Sequence, residues 1–304
     1  MRGVVRIRSV SELHRLVGVA APTHPLITVL DMRQVGAAAL HRLEAQRFEL
    51  GLYAVSLKKI GGSRRYGRGP TDFAEGTLVF LAPQQLITYH PDQQVEEGWA
   101  LYFHPDLIYA SGLGQRMHTY TFFSYAAHEA LHLSEAEKGI VNECVRRIEQ
   151  EYSQNIDGHT HGLLVSNLEL LLNYCARFYG RQFYTRKAGA HDVVQQFEPT
   201  LVAYFAQDML LGVGLPDVKY FATRLNLSPN YLSDLLNRHT GKSTQEHIHL
   251  HLIARAKSLL GSTAHSISEV AYRIGFEHPS HFNKLFKAKT GQTPRQYRQL
   301  SGTG

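Results

Sequence analysis

Cysteine is almost absent from the 304-residue sequence, which has only Cys144 and Cys175. Two thiols cannot build a disulfide framework, and they are too few for a zinc site made of three or four thiolates. The chain also lacks an uninterrupted run of the ~20 apolar residues that a membrane-spanning helix needs. Arginines break up the segment from Met1 to Val17, which therefore lacks the apolar core of a signal peptide. We expect reduced cysteines and a soluble, cytoplasmic protein.

Acidic residues are missing from the end of the chain. From Pro279 onward there are five Lys or Arg residues and no Asp or Glu. Residues 186–304 hold 14 basic and 8 acidic residues, whereas residues 1–185 hold 18 of each, so the net charge of +6 lies in the C-terminal part. A basic surface attracts nucleic acid because phosphate contacts release bound counterions. The alternative is a basic tail that is merely solvated.

The first part of the chain has the pattern of short strands. Runs of β-branched, leucine and aromatic residues are separated by Gly, Pro, Asp and Gln clusters. The runs are Pro25–Asp31, Arg47–Lys59, Gly76–Pro83 and Gly98–Pro105, and their spacing favours a small antiparallel barrel or sandwich. The segment Gly61–Pro70 between two of them is predicted to be a flexible basic loop.

Two long helices are predicted after the strands. The first runs from about Ser134 to Asn155 and opens with a capping box, Ser134-x-x-Glu137. The second runs from about His161 to Phe183 and is rich in leucine. Their apolar faces either cover the β unit or provide the contact of a homodimer, and the sequence leaves both open.

The C-terminal part contains an internal repeat. LSPNYLSDLLNRHTGKST at Leu227–Thr244 recurs fifty residues later as EHPSHFNKLFKAKTGQTP at Glu277–Pro294. Each copy follows a shorter helical segment, so each has the plan of a helix-turn-helix, whose second helix enters the DNA major groove. The helix predicted between the copies, from Ser243 to about Leu260, is roughly 25 Å long at ~1.5 Å per residue. It is long enough to hold two recognition helices about one DNA turn, ~34 Å, apart.

The sequence resembles the AraC/XylS family of bacterial transcription regulators from about Asp217 to Arg298. The residues that carry the resemblance lie around and between the two helix-turn-helix units: Ala256–Leu260, Ile267–Ala271, Gly275, Phe276, Phe282, Phe286, Lys287, Thr290, Gly291, Thr293, Pro294, Tyr297 and Arg298. Further upstream, GTLVFLAP at Gly76–Pro83 is similar to a strand of cupin barrels, with the pattern Gly-x-Leu-x-x-x-x-Pro.

The resemblance implies an α+β protein of two domains. Residues 1–185 would form a cupin-like β-barrel with following helices, for sensing and dimerisation. Residues 186–195 would be a linker, and residues 196–304 an all-α DNA-binding domain with two helix-turn-helix units joined by a linker helix. The His-x-His pattern of metal-dependent cupin enzymes is absent from the predicted strands, so we expect no catalytic residues, no cofactor and no metal.

The function implied is that of a sequence-specific DNA-binding transcription regulator controlled by a small ligand on the N-terminal domain, and the sequence leaves open whether it is an activator or a repressor. Its partners would be double-stranded DNA at two adjacent major-groove segments, a small-molecule effector, a second copy in a homodimer, and RNA polymerase. The protein would lie in the bacterial cytoplasm, associated with the nucleoid. The alternative is a DNA-binding protein whose N-terminal domain is a Cys-dependent or metal-dependent enzyme. An architectural DNA-bending protein is disfavoured because it would not need the large N-terminal domain.

The resemblance also places DNA contacts on exposed positions of the recognition helices. These candidates are Asn230, Tyr231, Ser233, Asp234, Asn237, Arg238, Thr244, Ser280, His281, Asn283, Lys284, Lys287 and Thr293. Lys284 would donate to guanine and Asn283 would pair with adenine, whereas Thr244 and Thr293 would contact phosphates. Asp234 would either accept from cytosine N4 or weaken the attraction to phosphate, and most exposed polar residues on helices are only solvated.

Aromatic residues on or beside the predicted strands are candidates for a ligand pocket. They are Tyr53, Tyr89, Trp99, Tyr102 and His104. Aromatic residues on strands more often belong to the core. The histidines at 159, 161, 247, 249 and 251 raise the question of a metal site, but no carboxylate or thiol completes a ligand set, and we interpret them as surface imidazoles.

Overall fold

The computed structural model describes residues 4–35, 47–60, 76–88, 95–185, 187–206 and 214–301. The chain divides into two compact units, Met1–Thr185 and Arg186–Gly304. The described strands all lie in the first unit, while the described part of the second unit is helical, so the protein has an α+β architecture. None of the described helices has the length and apolar character to span a membrane. The predicted loop at 61–70 lies outside the described residues.

The strands of the first unit form two sheets. Their bounds are β1 Val4–Ile7, β2 Ile27–Asp31, β3 Arg47–Leu50, β4 Tyr53–Ile60, β5 Thr77–Leu81, β6 Gln85–Thr88, β7 Val95–Phe103 and β8 Leu131–His132. One sheet has the order β1-β3-β6, with β1 parallel to β3, and the other has the order β2-β7-β4-β5-β8. The expectation of a closed cupin-like barrel is therefore not met by the described strands. The second sheet ends at β2 and at the two-residue β8, which is too short to continue the pairing.

The described helices of the first unit include the two long ones that the sequence predicts. The α-helices described in this unit are α1 Val10–Val17, α2 Gly112–Arg116, α3 Glu135–Tyr152 and α4 Thr160–Thr185, and the two long ones are α3 and α4. The predicted capping box at the start of α3 is confirmed, because Glu137 N donates to Ser134 Oγ and Ser134 N donates to Glu137 Oε2. Arg181 of α4 then donates two hydrogen bonds to the Glu137 carboxylate, at 2.9 and 2.8 Å, and fixes α4 against the start of α3.

The five-stranded sheet is covered on both faces. Successive side chains of a strand point to opposite sides. On one side, the Phe80 ring of β5 lies 5.9 Å from that of Tyr179 on α4. On the other side, Ala54 of β4 packs in a hydrophobic cluster with Leu13 of α1. Because burial of a leucine or phenylalanine side chain stabilises a fold by roughly 1.5–3 kcal/mol, both faces contribute to a stable first unit.

The second unit consists of helices over its described residues. They are α5 Lys187–Ala206, α6 Val218–Arg224, α7 Pro229–Thr240, α8 Thr244–Ser262, α9 Ile267–Arg273, α10 Pro279–Thr290 and α11 Pro294–Ser301. Helix α5 begins at Lys187, so the residues of the predicted linker, 186–195, are helical from 187 onward. Pro199 lies inside α5, well beyond its first turn, where it removes one backbone hydrogen bond.

A single hydrophobic cluster joins the two helix-turn-helix units to the helix between them. It contains Phe221 and Leu236 from the first helix-turn-helix, Ala256 from α8, and Phe282 and Phe286 from the second helix-turn-helix. All five side chains are almost completely buried. Since the two units share one core with α8, their recognition helices are held in a defined arrangement.

Candidate nucleic-acid interface

The two helix-turn-helix units have the same backbone plan. In the first, α6 ends at a left-handed residue, Asn226 with φ 56°, and in the second, α9 ends at Gly275 with φ 96°. The following amide bonds back to the helix in both, from Leu227 N to Ala222 O at 2.9 Å and from Phe276 N to Ala271 O at 3.0 Å. This αL ending satisfies helix carbonyls and turns the chain sharply. The turn before α10 is one residue longer than that before α7.

The recognition helices α7 and α10 also end alike. Each has 12 residues, starts with proline at its first position and stops at a left-handed glycine, Gly241 or Gly291. In each, a threonine one residue before the glycine donates to a carbonyl four residues earlier, Thr240 to Leu236 O and Thr290 to Phe286 O. The repeat in the sequence is therefore a repeat in structure, down to single hydrogen bonds.

Most of the predicted DNA-contacting residues lie on the outward faces of these helices. On α10, five side chains are exposed: Ser280, His281, Asn283, Lys284 and Lys287. On α7, three are exposed, Asn230, Asn237 and Arg238, and two are partly buried, Ser233 and Asp234. The outward face of each recognition helix thus presents polar and charged groups that match the edges of bases and phosphates in chemistry.

Two residues expected on the outward faces are buried, and that expectation is wrong for them. Tyr231 is 4% exposed and Thr244 is completely buried. Tyr231 lies one helical turn before Leu235, on the apolar side of α7. Thr244 Oγ1 accepts a hydrogen bond from Ser233 Oγ at 3.1 Å, which joins α7 to the start of α8. Thr293 is partly buried, and its Oγ1 accepts from Gln296 N as the N-terminal cap of α11.

Residues 221–300 match the family profile described as a helix-turn-helix domain. The chain is 31% identical over 107 residues to the HTH-type transcriptional activator RhaR of Yersinia pseudotuberculosis, covering 35% of this chain and 33% of RhaR. It is 25% identical over 234 residues to the activator RhaS of an Enterobacter species, covering 76% of this chain and 78% of RhaS. The C-terminal domain of AraT, a response regulator from Geobacillus stearothermophilus, is 29% identical with a TM-score of 0.32, over 36% of this chain and 84% of that chain.

The chain carries a helix-turn-helix domain of the AraC type at residues 221–300 and is similar to the activators RhaR and RhaS. The match to RhaR spans only about a third of that relative's length.

Helix α8 connects the two helix-turn-helix units, and its histidines have contacts of their own. His247 Nε2 lies 2.8 Å from Thr240 Oγ1, and the His251 ring stacks on Phe205 at 4.7 Å. Burial lowers the pKa of His247, His249 and His251, and nearby cationic side chains lower each pKa further. No group of three or more His, Cys, Asp or Glu side chains that could hold a metal is found in the described part of the chain.

A basic residue of the last helix, Arg298, fixes the C-terminal end of α8. Arg298 of α11 donates from Nε to Leu260 O at 3.2 Å, near the C-terminus of α8. A cation near exposed carbonyls at a helix C-terminus is favourable. Tyr297 receives Lys257 of α8 over its ring at 5.5 Å. The signal that could have found these contacts is the pair of basic side chains at helix ends.

The predicted ligand-binding aromatic residues do not converge on one site. Tyr53 stacks on Phe103, with ring centroids 4.9 Å apart, and belongs to the core. Tyr102 lies on the opposite face of the sheet, against the α1 cluster, and burial raises its pKa to about 12. His104 caps a 3-10 turn by accepting from Asp106 N. Tyr89 lies outside the described residues.

Among these candidates, Trp99 lines a cleft of the first unit. The cleft, between β2, β7 and α3 of the first unit, has a volume of about 440 Å³. Its lining includes five polar residues that the sequence reasoning missed: Asp31, Arg33, Asn142, Arg146 and Glu149. Trp99 Nε1 donates to Asn142 Oδ1 at 2.9 Å, and Asp31 holds Arg33 at 2.8 Å. Burial and the charge of Asp31 raise the pKa of Glu149.

The two cysteines give no support to the Cys-dependent alternative. Both are buried. Burial raises the pKa of Cys144 and of Cys175 above the ordinary thiol value. A nucleophilic cysteine needs the opposite shift, toward the thiolate.

Proposed function

We propose that this chain is a sequence-specific DNA-binding regulator of transcription and that it acts as an activator. The observation that carries the proposal is the repeated helix-turn-helix on one shared core, with polar recognition faces. The similarity to RhaR and RhaS, which are described as transcriptional activators, supports activation. Activation would also require a contact with RNA polymerase, which we include in the proposal.

The DNA partner would be a duplex with two adjacent major-groove segments. Helix α8 has 19 residues, and a helix of this length spans about 28 Å. Successive major grooves on one face of a duplex recur every ~34 Å, and the recognition helices flank α8 on the surface of one core. One copy of the chain would therefore insert α7 and α10 into neighbouring grooves.

Selection of bound duplexes from a random pool tests this proposal. We expect enrichment of a motif with two blocks about 10 bp apart, one block for each recognition helix. A promoter carrying that motif should then respond to the chain in a transcription assay with RNA polymerase. Recovery of unenriched DNA would contradict sequence-specific binding, and binding without a change in transcript would contradict activation.

The first unit would be the sensing and dimerisation domain, over residues 1–185. Residues 186–195 would connect it to the DNA-binding domain at 196–304. The cleft beside Trp99 supports ligand control, because it combines an indole ring with several polar groups of both charges. Small-molecule sites usually have volumes of about 300–1,000 Å³, and the volume of this cleft, about 440 Å³, lies in that range.

Trp99 offers a direct measurement of effector binding. It is the only tryptophan in the sequence, so its fluorescence reports on the cleft alone. A ligand that binds there should change the emission with a saturable dependence on concentration. The factor by which the ligand changes the affinity for DNA should equal the factor by which DNA changes the affinity for the ligand. An Asn142→Ala variant, which removes the partner of the indole N–H, should weaken the response. A ligand that alters DNA affinity while leaving this emission unchanged would place the effector elsewhere.

A homodimer would use the outer face of α4. Leu163 is 47% exposed and Leu170 is 41% exposed, and residues seven apart lie on the same side of a helix. A double change of Leu163→Glu and Leu170→Glu should convert a dimer into a monomer in light scattering. The matched control is Glu169→Gln on the same helix, which should leave the mass unchanged. A monomeric parent protein, or a variant that stays dimeric, would contradict this surface.

A further inference from the structure

The two recognition helices differ in charge at equivalent positions. The fifty-residue offset that aligns Pro229 with Pro279 also aligns the closing glycines of α7 and α10. At the same offset Asp234 aligns with Lys284. Since the two helices have the same length and the same ends, one structural position carries a negative charge in the first unit and a positive charge in the second.

The difference extends along both helices. Asn237 of α7 aligns with Lys287 of α10, and His239 aligns with Lys289. Over its 12 residues α7 holds one acid and one base, Asp234 and Arg238 at i, i+4, whereas α10 holds three lysines and no acid. Recognition helix α7 is therefore neutral overall, while α10 carries a charge of +3 at pH 7.

Contacts with neighbouring residues leave most of this charge difference between α7 and α10 in place. Lys284 and Lys287 are exposed, and neither forms an ion pair among the residues that the structure describes. The positive charge of Lys289 is partly offset by the nearby carboxylate of Glu246 at the start of α8. Two lysines of α10 are thus available for phosphates, whereas the aligned positions of α7 hold Asp234 and Asn237.

We propose that the two units have different roles in DNA recognition, an inference that rests on the proposed DNA binding. Helix α10 supplies the salt-dependent attraction to phosphates through Lys284 and Lys287. Helix α7 supplies discrimination between bases, with Asp234 accepting from the N4 amino group of cytosine. A carboxylate is repelled by phosphates and by the two acceptors of guanine, so in the major groove it tolerates only a donor edge.

Salt dependence separates the two roles. Each phosphate contact contributes about 0.9 to the slope of log K against log salt, so Lys284→Ala with Lys287→Ala should reduce the slope by roughly 1.8 units. Between 50 and 200 mM salt that amounts to about 12-fold less loss of affinity. The control is Arg147→Gln, an exposed charge on α3 of the first unit, for which we expect an unchanged slope.

Base preference gives the second readout. Asp234→Asn keeps the shape and removes the charge, and asparagine pairs with adenine. The block of the selected motif under α7 should then lose its cytosine preference by roughly fivefold or more and gain adenine. The block under α10 should keep its sequence. Unchanged preference at every position would overturn the role of Asp234.

A charge swap distinguishes the position of the charges from their sum. The double variant Asp234→Lys, Lys284→Asp has the same net charge as the parent chain. We expect it to lose the cytosine preference under α7 and to bind the parental motif at least tenfold more weakly, with circular dichroism confirming the fold. Parental affinity and preference in the swap would refute the division of roles. Failure of the parent chain to select any motif would instead refute the proposed function.

Discussion

Gly275 is the position where one methyl group should cost the most in the second helix-turn-helix. Its φ of 96° is a conformation that residues with a Cβ rarely adopt. A Cβ there would lie 3.2 Å from Gly214 O and 3.3 Å from Gly214 C. Both are backbone atoms, and Gly214 O also accepts a hydrogen bond from Tyr204 at 3.2 Å. The neighbour therefore cannot move away without breaking another contact.

The expected magnitude follows from two separate costs. A non-glycine residue in the left-handed region costs about 1–2 kcal/mol, and forcing an extra methyl against fixed atoms adds about 1–3 kcal/mol. Gly275→Ala should lower the free energy of unfolding by about 3 kcal/mol in total. Gly291→Ala is the matched control, because Gly291 has φ 78° and a Cβ there would meet nothing within 4 Å. It should cost only about 1–2 kcal/mol.

Urea unfolding of both variants, monitored by the circular dichroism of the helices, measures the difference in stability. The gain in unfolded-state rigidity from Gly→Ala is the same in each variant and cancels in the comparison. We expect Gly275→Ala to unfold at clearly lower urea than Gly291→Ala. Equal losses would refute the close approach to Gly214, and no loss in either would refute the left-handed geometry at both turns.

Two further predictions concern ionisable side chains, the histidines of α8 in the second unit and Arg181 in the first. The pKa values of His247, His249 and His251 are lowered in the folded state, so the unfolded state binds more protons below pH 6.5. Stability should be full above that value and fall as the pH drops toward 5, and urea midpoints from pH 7.5 to 5 check this; a flat profile would contradict it. In the first unit, Arg181→Gln removes both hydrogen bonds to Glu137 and should cost about 1–3 kcal/mol in thermal or urea unfolding. A cost no larger than that of the exposed Arg147→Gln would show that the pair contributes little.

The elements that the sequence predicts well are set by local signals. Capping boxes, prolines at first positions and closing glycines marked the helices from α7 to α10, and the fifty-residue repeat made each unit support the other. The burial of Tyr231 and Thr244 also had a local signal, because each lies four residues before a buried residue, Leu235 or Ile248. Their polar groups suggested an outward face, whereas the i, i+4 spacing from a buried apolar residue indicates a buried position.

The arrangement of the first unit depends on contacts between distant residues, which local patterns do not encode. The strand runs were recognisable, but the order β2-β7-β4-β5-β8 and the parallel pair of β1 and β3 were not. For the same reason, the aromatic candidates could not be assigned to core or cleft. Trp99 and Tyr102 lie three residues apart on β7, so they face opposite sides of the sheet.

Chemical probing of guanine N7 on a selected duplex tests the central claim most directly. N7 lies in the major groove, so methylation there should interfere with binding wherever a recognition helix enters. We expect two clusters of interference, about one helical turn apart on one face of the duplex, one for each recognition helix. A single cluster, or interference spread around the whole duplex, would contradict the insertion of both recognition helices by one chain.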